Sequence, residues 1–155
     1  MKGSWALLLL AFAPLAQADD NFCRADEKVM FSCSSGEKLI SVCTSADLGP
    51  NAGYIQLRFG KPGGDLIAWP EARYPREFVT KGELMYAGAK GVYMRFTMEN
   101  TGFVVYSTKG PRGFQGLVIE QNRLVAKKYR CKTSNPETLW SAPVPVNYMI
   151  SVSGL

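Results

Sequence analysis

Short segments in which apolar and polar residues alternate recur along the chain, and this pattern most strongly limits the fold. In GVYMRFTM, residues 91–98, every second side chain is apolar, as in a strand with one buried face. The turn at 99–102, ENTG, leads into FVVYS, 103–107, which predicts a hairpin. No segment of ten or more residues keeps a helical period with capping residues. The sequence therefore predicts an all-β domain, a small antiparallel β-barrel or sandwich of about eight to ten strands.

The remaining strands are predicted from the same pattern between Gly and Pro residues. They are 29–33, 39–43, 54–59, 66–69, 83–86, 116–120, 123–129 and 146–152. Residues 70–82 are predicted to form a long connection. In the tail, 135–155, Pro143 and Pro145 favour an edge strand or irregular coil, and a helical turn at 138–141 is an alternative.

The N-terminus has the pattern of an export signal. Lys2 precedes an apolar run at 6–15, and Ala16-Gln17-Ala18 forms a small-x-small cleavage site. We therefore predict a signal peptide at 1–18 and one secreted β domain at 19–155, with its core in 28–132 and the structure of 135–155 left open. No later segment approaches the roughly 20 apolar residues of a membrane span, so we expect a periplasmic or secreted protein without a transmembrane segment.

Four cysteines, Cys23, Cys33, Cys43 and Cys131, predict two disulfides in an oxidising compartment. Cys33 ends one predicted strand at the turn, and Cys43 lies at the far end of the next strand. Roughly 13 Å of strand separates the two, too far for a disulfide. Of the two remaining schemes we favour Cys23–Cys43 with Cys33–Cys131, because a Cys23–Cys33 bond would fold a short segment back against its own strand.

The chain contains no histidine, which removes Ser-His and Cys-His catalysis and the usual zinc and copper ligands. We expect no enzyme activity, cofactor or metal; a hydrolase that uses two of the scattered acids is a third hypothesis. The net charge is +5, or +4 without Lys2, which favours anionic partners mildly. Nucleic acid is not expected as a partner, because the cations form no known binding signature.

A loop at 108–115, TKGPRGFQ, is the first candidate binding element. Lys109 and Arg112 suit a cleft lined by carboxylates. Pro111 limits the freedom of the loop, and Gly110, Gly113 and Gly116 allow its backbone to approach another surface closely. Phe114 either anchors a partner by burial or folds back into the core.

A cluster of cations is the second candidate. Its members are Arg123, Lys127, Lys128, Arg130 and Lys132. If residues 124 and 126 face the core, Arg123 and Lys127 share the solvent face with Tyr129 and form a patch for anionic glycan or lipopolysaccharide. Alternatively, the charges protect an edge strand against aggregation.

Three segments between residues 28 and 132 resemble the periplasmic or membrane-bound inhibitors of c-type lysozyme, a family of Gram-negative bacteria, and so imply export of the Gram-negative type. They are VMFSCSSG, 29–36, YAGAKGVY, 86–93, and FVVYSTKG, 103–110, the last followed by a hairpin and a terminal cysteine. The resemblance implies an eight-stranded antiparallel barrel with an early-to-late disulfide, in agreement with Cys33–Cys131. It also implies two loops that enter the lysozyme cleft and engage its catalytic acids.

The resemblance assigns Lys109 as the cation that pairs with a catalytic carboxylate. Thr108 and Gly110 complete that motif, Gly88 and Lys90 belong to the second loop, and Tyr93 stands two residues after the family's tyrosine position. We therefore expect a non-enzymatic, lysozyme-inhibitor-like binding protein that occludes a glycosidase cleft, or alternatively an envelope module for anionic glycan. The candidate partner-binding residues are Gly88, Lys90, Tyr93, Thr108, Lys109, Gly110, Arg112 and Phe114.

Overall fold

The computed structural model describes residues 21–49, 52–71, 78–86, 88–110 and 113–134. Four predictions lie outside the described residues. They are the signal peptide, the position of Arg112, the helical turn at 138–141 and the strand at 146–152.

Ten strands follow one another in the described chain and form two antiparallel sheets. The first sheet has the order β10-β1-β2-β3-β4, and the second has the order β5-β6-β7-β8-β9. The strands are β1 Lys28–Ser35, β2 Lys38–Thr44, β3 Ile55–Gly60, β4 Leu66–Trp69, β5 Val79–Tyr86, β6 Ala89–Met98, β7 Thr101–Thr108, β8 Gln115–Gln121, β9 Leu124–Arg130 and β10 Thr133–Ser134. The predicted all-β class is confirmed.

One hydrophobic core joins the two sheets. It combines side chains of the first sheet, such as Phe31 and Leu57, with side chains of the second, such as Met94 and Phe96. Alternation along each strand places these residues on the inner faces. Contacts between the sheets include the Phe59 and Tyr129 rings, whose centroids are 4.8 Å apart, and a hydrogen bond of 2.9 Å from Trp69 Nε1 to Thr97 O. The two sheets therefore stack as a sandwich.

A second apolar cluster lies on the face of the second sheet that points away from this core. Strands β6 and β7 carry apolar side chains on both faces, so their alternate residues form a separate group. This outer cluster consists of Leu84, Tyr93, Val104, Tyr106 and Val118. The second sheet is consequently buried on both faces near its centre.

Both favoured disulfides are confirmed. Cys23–Cys43 ties the segment before β1 to β2, and Cys33–Cys131 ties β1 to the residue after β9. The chain crosses from the second sheet to the first at Cys131, which follows the edge strand β9. The N–H of Cys131 donates to Gln115 O at the start of β8. Two disulfides are typical of a chain that folds outside the reducing cytosol.

Two details differ from the sequence prediction. Residues 79–82, expected within a connection, belong to β5, where Val79 pairs with Phe96. Lys81 and Gly82 interrupt the alternation of apolar and polar residues there, so the pattern did not indicate a strand. In β9, Leu124 and Ala126 are exposed and do not face the core, because β9 is an edge strand and its register shifts at Ile119 and Glu120.

A buried ion pair holds the segment before β1 against the first sheet. The Arg58 guanidinium donates to both Glu27 carboxylate oxygens at 2.7 Å and also to Phe22 O at 2.7 Å. Tyr54 OH donates to the same carboxylate at 2.5 Å. The Glu27 side chain is fully buried and that of Arg58 is 9% exposed, so the pair is shielded from solvent.

This pair predicts a loss of stability in acid. Burial alone would raise the pKa of Glu27, but hydrogen bonds from Arg58, Tyr54 and the Arg24 N–H outweigh burial and lower this pKa from 4.5 to about 2. A lowered folded-state pKa stabilises the protein above pH 4.5, and this contribution is lost as the pH falls towards 2. We expect unfolding free energy to fall by on the order of 2 to 3 kcal/mol over that window because of Glu27.

Urea unfolding at pH 5, 3.5 and 2.5 measures this effect. The Glu27→Gln variant is the matched control, because it cannot titrate and should show a flatter pH dependence in the same window. Equal slopes for the two proteins would contradict the assignment.

Candidate functional site

Two turns of the second sheet lie side by side at one end of the sandwich. The β5–β6 turn contains Gly88, and the β7–β8 loop begins at Lys109. Gly91 of β6 pairs with Thr108 of β7, and Lys109 N–H donates to Lys90 O at 2.9 Å. The two elements that the sequence proposed as binding loops are thus joined through their backbones.

Thr108 closes the base of the β7–β8 loop. Its N–H donates to Phe114 O at 2.9 Å, and its hydroxyl accepts from Phe114 N–H at 2.7 Å. Within the loop, Gly113 N–H donates to Gly110 O at 3.0 Å. Gly110 has a φ of 131°, a conformation that other residues rarely adopt. These bonds fix the base of the loop that presents Lys109.

Phe114 turns back onto the protein. Its half-buried ring packs against the outer cluster, and the Arg130 guanidinium lies 4.0 Å from the ring centroid. This distance indicates a cation–π contact. Phe114 therefore folds back onto the protein, which was one of the two expectations. It packs on the outer face of the second sheet, however, and not in the core between the sheets.

The candidate residues occupy two different environments. Gly88, Lys90, Lys109 and Gly110 are exposed, whereas Tyr93 and Thr108 are buried in the sheet beneath them. The four exposed residues lie on the solvent-facing surface of the two turns. The two buried residues support that surface, and Arg112 lies outside the described residues.

Sequence reasoning did not foresee that Arg130 would belong to this end of the sheet. Gly116 at the start of β8 pairs with Arg130 at the end of β9, which brings the β9 exit beside the β7–β8 loop. Arg130 was visible only as one member of the basic cluster. The signal that could have placed Arg130 at this end is the register of the β8–β9 hairpin, which sets Gly116 opposite Arg130.

Three cations of the basic cluster, Arg130 among them, lie along the edge of the second sheet. Lys127, Lys128 and Arg130 are exposed on β9, and Lys127 Nζ lies 5.6 Å from the centre of the Tyr129 ring. Tyr129 itself packs on Phe59 at the core. The edge position agrees with a protective role for these charges, and all three side chains are exposed to solvent.

Two acids with buried side chains, one just before β1 and one on β8, each face an arginine. Glu27 pairs with Arg58, and Glu120 pairs with Arg95 on the outer face of the second sheet. The one group of potential metal ligands in the described ranges is Cys23, Glu27 and Cys43. Both of these sulfurs are bonded to each other, so they offer no thiolate to a metal.

Comparison with family models, curated proteins and solved structures finds no match to this chain. Among the residues that the structure describes, no helix is long and apolar enough to cross a membrane. What this site can bind must therefore be argued from its geometry.

The closure of the loop by Thr108 can be measured. Thr108→Val keeps the shape of the side chain but removes the acceptor for Phe114 N–H, so we expect a loss of roughly 1 to 2 kcal/mol in unfolding free energy. Amide exchange at Phe114 should also become faster. Thr101→Val on the same strand is the control, since its hydroxyl only accepts a long 3.4 Å bond from Gln121. Equal losses in the two variants would contradict the role given to Thr108.

Proposed function

We propose that this protein is an exported, non-enzymatic binding protein that inhibits a lysozyme-type glycosidase in the periplasm or outside the cell. The observation that carries the proposal is the joint presentation of Lys90 and Lys109. Both residues are exposed, and the backbone hydrogen bond of 2.9 Å between them joins the two turns. Binding residues commonly occupy such loops on rigid sheets.

The chemistry of glycoside hydrolysis gives such a pair of cations a target. A glycosidase carries two carboxyl groups beside the scissile bond, and at least one is ionised during the reaction. An ammonium group placed between them forms a charge-assisted hydrogen bond in a site shielded from water. Lys109 is proposed as that group, and its presence would exclude the substrate.

The base of the loop supports this role because it is ordered before a partner arrives. Thr108 and Gly113 use hydrogen bonds within the loop, and Phe114 is held between the outer cluster and Arg130. A loop that is already ordered loses less conformational entropy on binding. Thr108, Tyr93 and Phe114 are proposed to position Lys109, while Gly88 and Gly110 let the partner's backbone come close.

Lysis of peptidoglycan by a panel of lysozymes tests the proposal. The panel should include enzymes of low net charge, because a basic inhibitor associates faster with a less basic partner. Lys109→Ala should weaken inhibition by about tenfold or more, as expected for a charged group at the centre of an interface. Lys127→Ala removes the same charge from the exposed β9 edge and should leave inhibition nearly unchanged.

The inhibition measurements can either support or rule out the proposal. Inhibition that depends on Lys109 but not on Lys127 supports the proposal. Full activity of every lysozyme with excess folded protein, or equal effects of the two substitutions, would rule it out.

A second candidate function rests on a different observation, the exposed row of Lys127, Lys128 and Arg130 on β9. An extended row of cations suits an anionic envelope glycan or lipopolysaccharide, and such binding weakens as salt screens it. A Lys127→Ala and Lys128→Ala double variant should then lose glycan binding while Lys109→Ala keeps it. Binding that is absent or insensitive to salt would remove this candidate.

A further inference from the structure

The β8–β9 hairpin displays apolar side chains to solvent beside its turn. Leu124 is 74% exposed and Val125 is 42% exposed, and Ala126 next to them is exposed as well. No other large apolar side chain that the structure describes is as exposed as Leu124. Apolar residues on an edge strand favour aggregation, and proteins usually avoid them there. Protection of the edge by charge therefore does not explain this part of β9.

A β-bulge keeps these side chains out of the core. Val125 pairs with Glu120 and Lys127 pairs with Ile119, so Ala126 has no residue opposite it. A bulge of this kind twists a strand and redirects its side chains. Residues that pair across two strands point to the same face, so Val125 lies on the outer face of the second sheet with Glu120. The register of the hairpin itself thus holds the apolar residues in solvent.

The turn beside the apolar residues is tight and contains an arginine in an uncommon conformation. Gln121 pairs with Leu124, which leaves Asn122 and Arg123 as a two-residue turn with φ values of 51° and 66°. Asn122 N–H also donates to Asn100 O at 2.9 Å. Glycine is preferred at the second position of such a turn, and a larger residue there costs backbone energy. The Arg123 side chain therefore does not serve the turn itself.

Positive charge surrounds the apolar residues. Residues 123–132 contain five cations and no acid. The cations that flank the apolar residues in sequence are all exposed and are Arg123, Lys127 and Lys128. Two acids lie on neighbouring elements: Glu120 is paired with Arg95, while Glu99 of the β6–β7 turn is exposed. One exposed acid does not balance three exposed cations, so this end of the hairpin attracts anions.

We propose that the hairpin tip, residues 122–128, docks on the surface of a bilayer that contains anionic phospholipid. Leu124 and Val125 enter the boundary between headgroups and acyl chains, while Arg123 and Lys127 pair with lipid phosphates. This partner matches both properties of the tip. An anionic glycan would leave the apolar residues without a counterpart, and a second copy of β9 would place like charges opposite each other.

Docking through the hairpin tip leaves the candidate site open to solvent. The β8–β9 turn lies at the opposite end of the second sheet from the β5–β6 turn and the β7–β8 loop, because neighbouring strands are antiparallel. Lys90 and Lys109 therefore face away from the bilayer. The membrane-docking surface is separate from the surface that is proposed to bind a lysozyme.

Co-sedimentation with lipid vesicles tests the proposal on the exported protein, which mass spectrometry should show to begin at Asp19. We expect binding to vesicles of phosphatidylcholine with one quarter phosphatidylglycerol, and none to vesicles of phosphatidylcholine alone. Added salt should weaken the binding, since it screens the attraction between the cations and the phosphates.

Substitution of the apolar residues separates insertion from charge attraction. Leu124→Ser combined with Val125→Thr should weaken vesicle binding about tenfold, because the tip then has little apolar surface to insert. Leu66→Ser is the matched control: Leu66 is 46% exposed on β4, at the edge of the first sheet, and its replacement should leave the affinity unchanged.

Arg123→Gly gives a variant whose loss of binding cannot come from misfolding. The affinity for anionic vesicles should fall about fivefold with the loss of one charge. Urea unfolding should show equal or higher stability, because glycine suits this turn position better than arginine.

Three results would overturn the proposal. They are the absence of binding to anionic vesicles, equal binding by the parent and the Leu124→Ser, Val125→Thr variant, and self-association through β9 without vesicle binding. Equal binding would leave only the charges of β9, as expected for an anionic glycan. None of these measurements involves a lysozyme, so membrane docking and the proposed inhibition stand or fail separately.

Discussion

Replacing Cys33 and Cys131 together with alanine is expected to lower the free energy of unfolding by about 4 to 5 kcal/mol. The bond closes a loop of 98 residues, and the chain-entropy account makes long loops the most costly to reopen. It also joins β1 of the first sheet to the end of β9 in the second. Removing it should therefore loosen the sandwich where the chain crosses between its sheets.

The second disulfide provides the matched comparison. Cys23–Cys43 spans only 20 residues, so its double alanine variant should lose about 3 kcal/mol. Urea unfolding of both variants and the parent measures the difference, which should be on the order of 1.5 kcal/mol. Equal losses would mean that loop length does not decide the contribution of these bonds.

Arg58→Met is expected to cost roughly 3 kcal/mol or more, because it leaves the buried Glu27 carboxylate without its main partner. The arginine makes two bonds to that carboxylate and one to Phe22 O, so the segment before β1 should also loosen. Urea unfolding at pH 7 gives the loss, and amide exchange at Phe22 gives the local effect.

The control for Arg58 is another ion pair of similar length. Lys61 and Glu37 are 2.8 Å apart, but both side chains are largely exposed, and exposed pairs contribute little. Lys61→Met should therefore leave stability almost unchanged. In addition, Glu27→Leu combined with Arg58→Met should cost less than the sum of the two single changes, since no charge is left buried. Additive losses would show that the pair is not coupled.

The local pattern of the sequence was sufficient to predict most strands and the disulfide pairing. In β6 and β7 the alternation and the ENTG turn define the hairpin, and the register of β1 against β2 places Cys33 away from Cys43. Both inferences depend on residues that lie close together in sequence. For such residues the period of two and the rise per residue fix the geometry.

Features that depend on distant residues were missed. Arg58 has the alternation of a solvent-facing residue, and its partner Glu27 lies 31 positions away, so no local pattern indicated that both are buried. Val104 and Tyr106 alternate with Phe103 and Val105, and this doubly apolar strand was a readable sign of a second buried face. Thr108 was assigned to binding because it completes the motif around Lys109 that carries the family resemblance, whereas its bond to Phe114 depends on how the loop closes.

The candidate site was foreseen in part. Short motifs identified both turns, and the antiparallel register places them at one end of the sheet. The hydrogen bond between Lys109 and Lys90 and the position of Arg130 over Phe114 could not be read from motifs, because each requires the three-dimensional path of two hairpins.

The interleaving of the two disulfides affects how the protein matures. Cys33 lies between Cys23 and Cys43, which bond to each other, while its own partner comes 98 residues later. When a chain enters an oxidising compartment N-terminus first, Cys23 and Cys33 meet before either native partner has emerged. A bond between them must be exchanged before folding can finish, and unassisted exchange takes minutes to hours. The yield of native protein should therefore depend on the disulfide isomerase activity of its compartment more than on the strength of the oxidant.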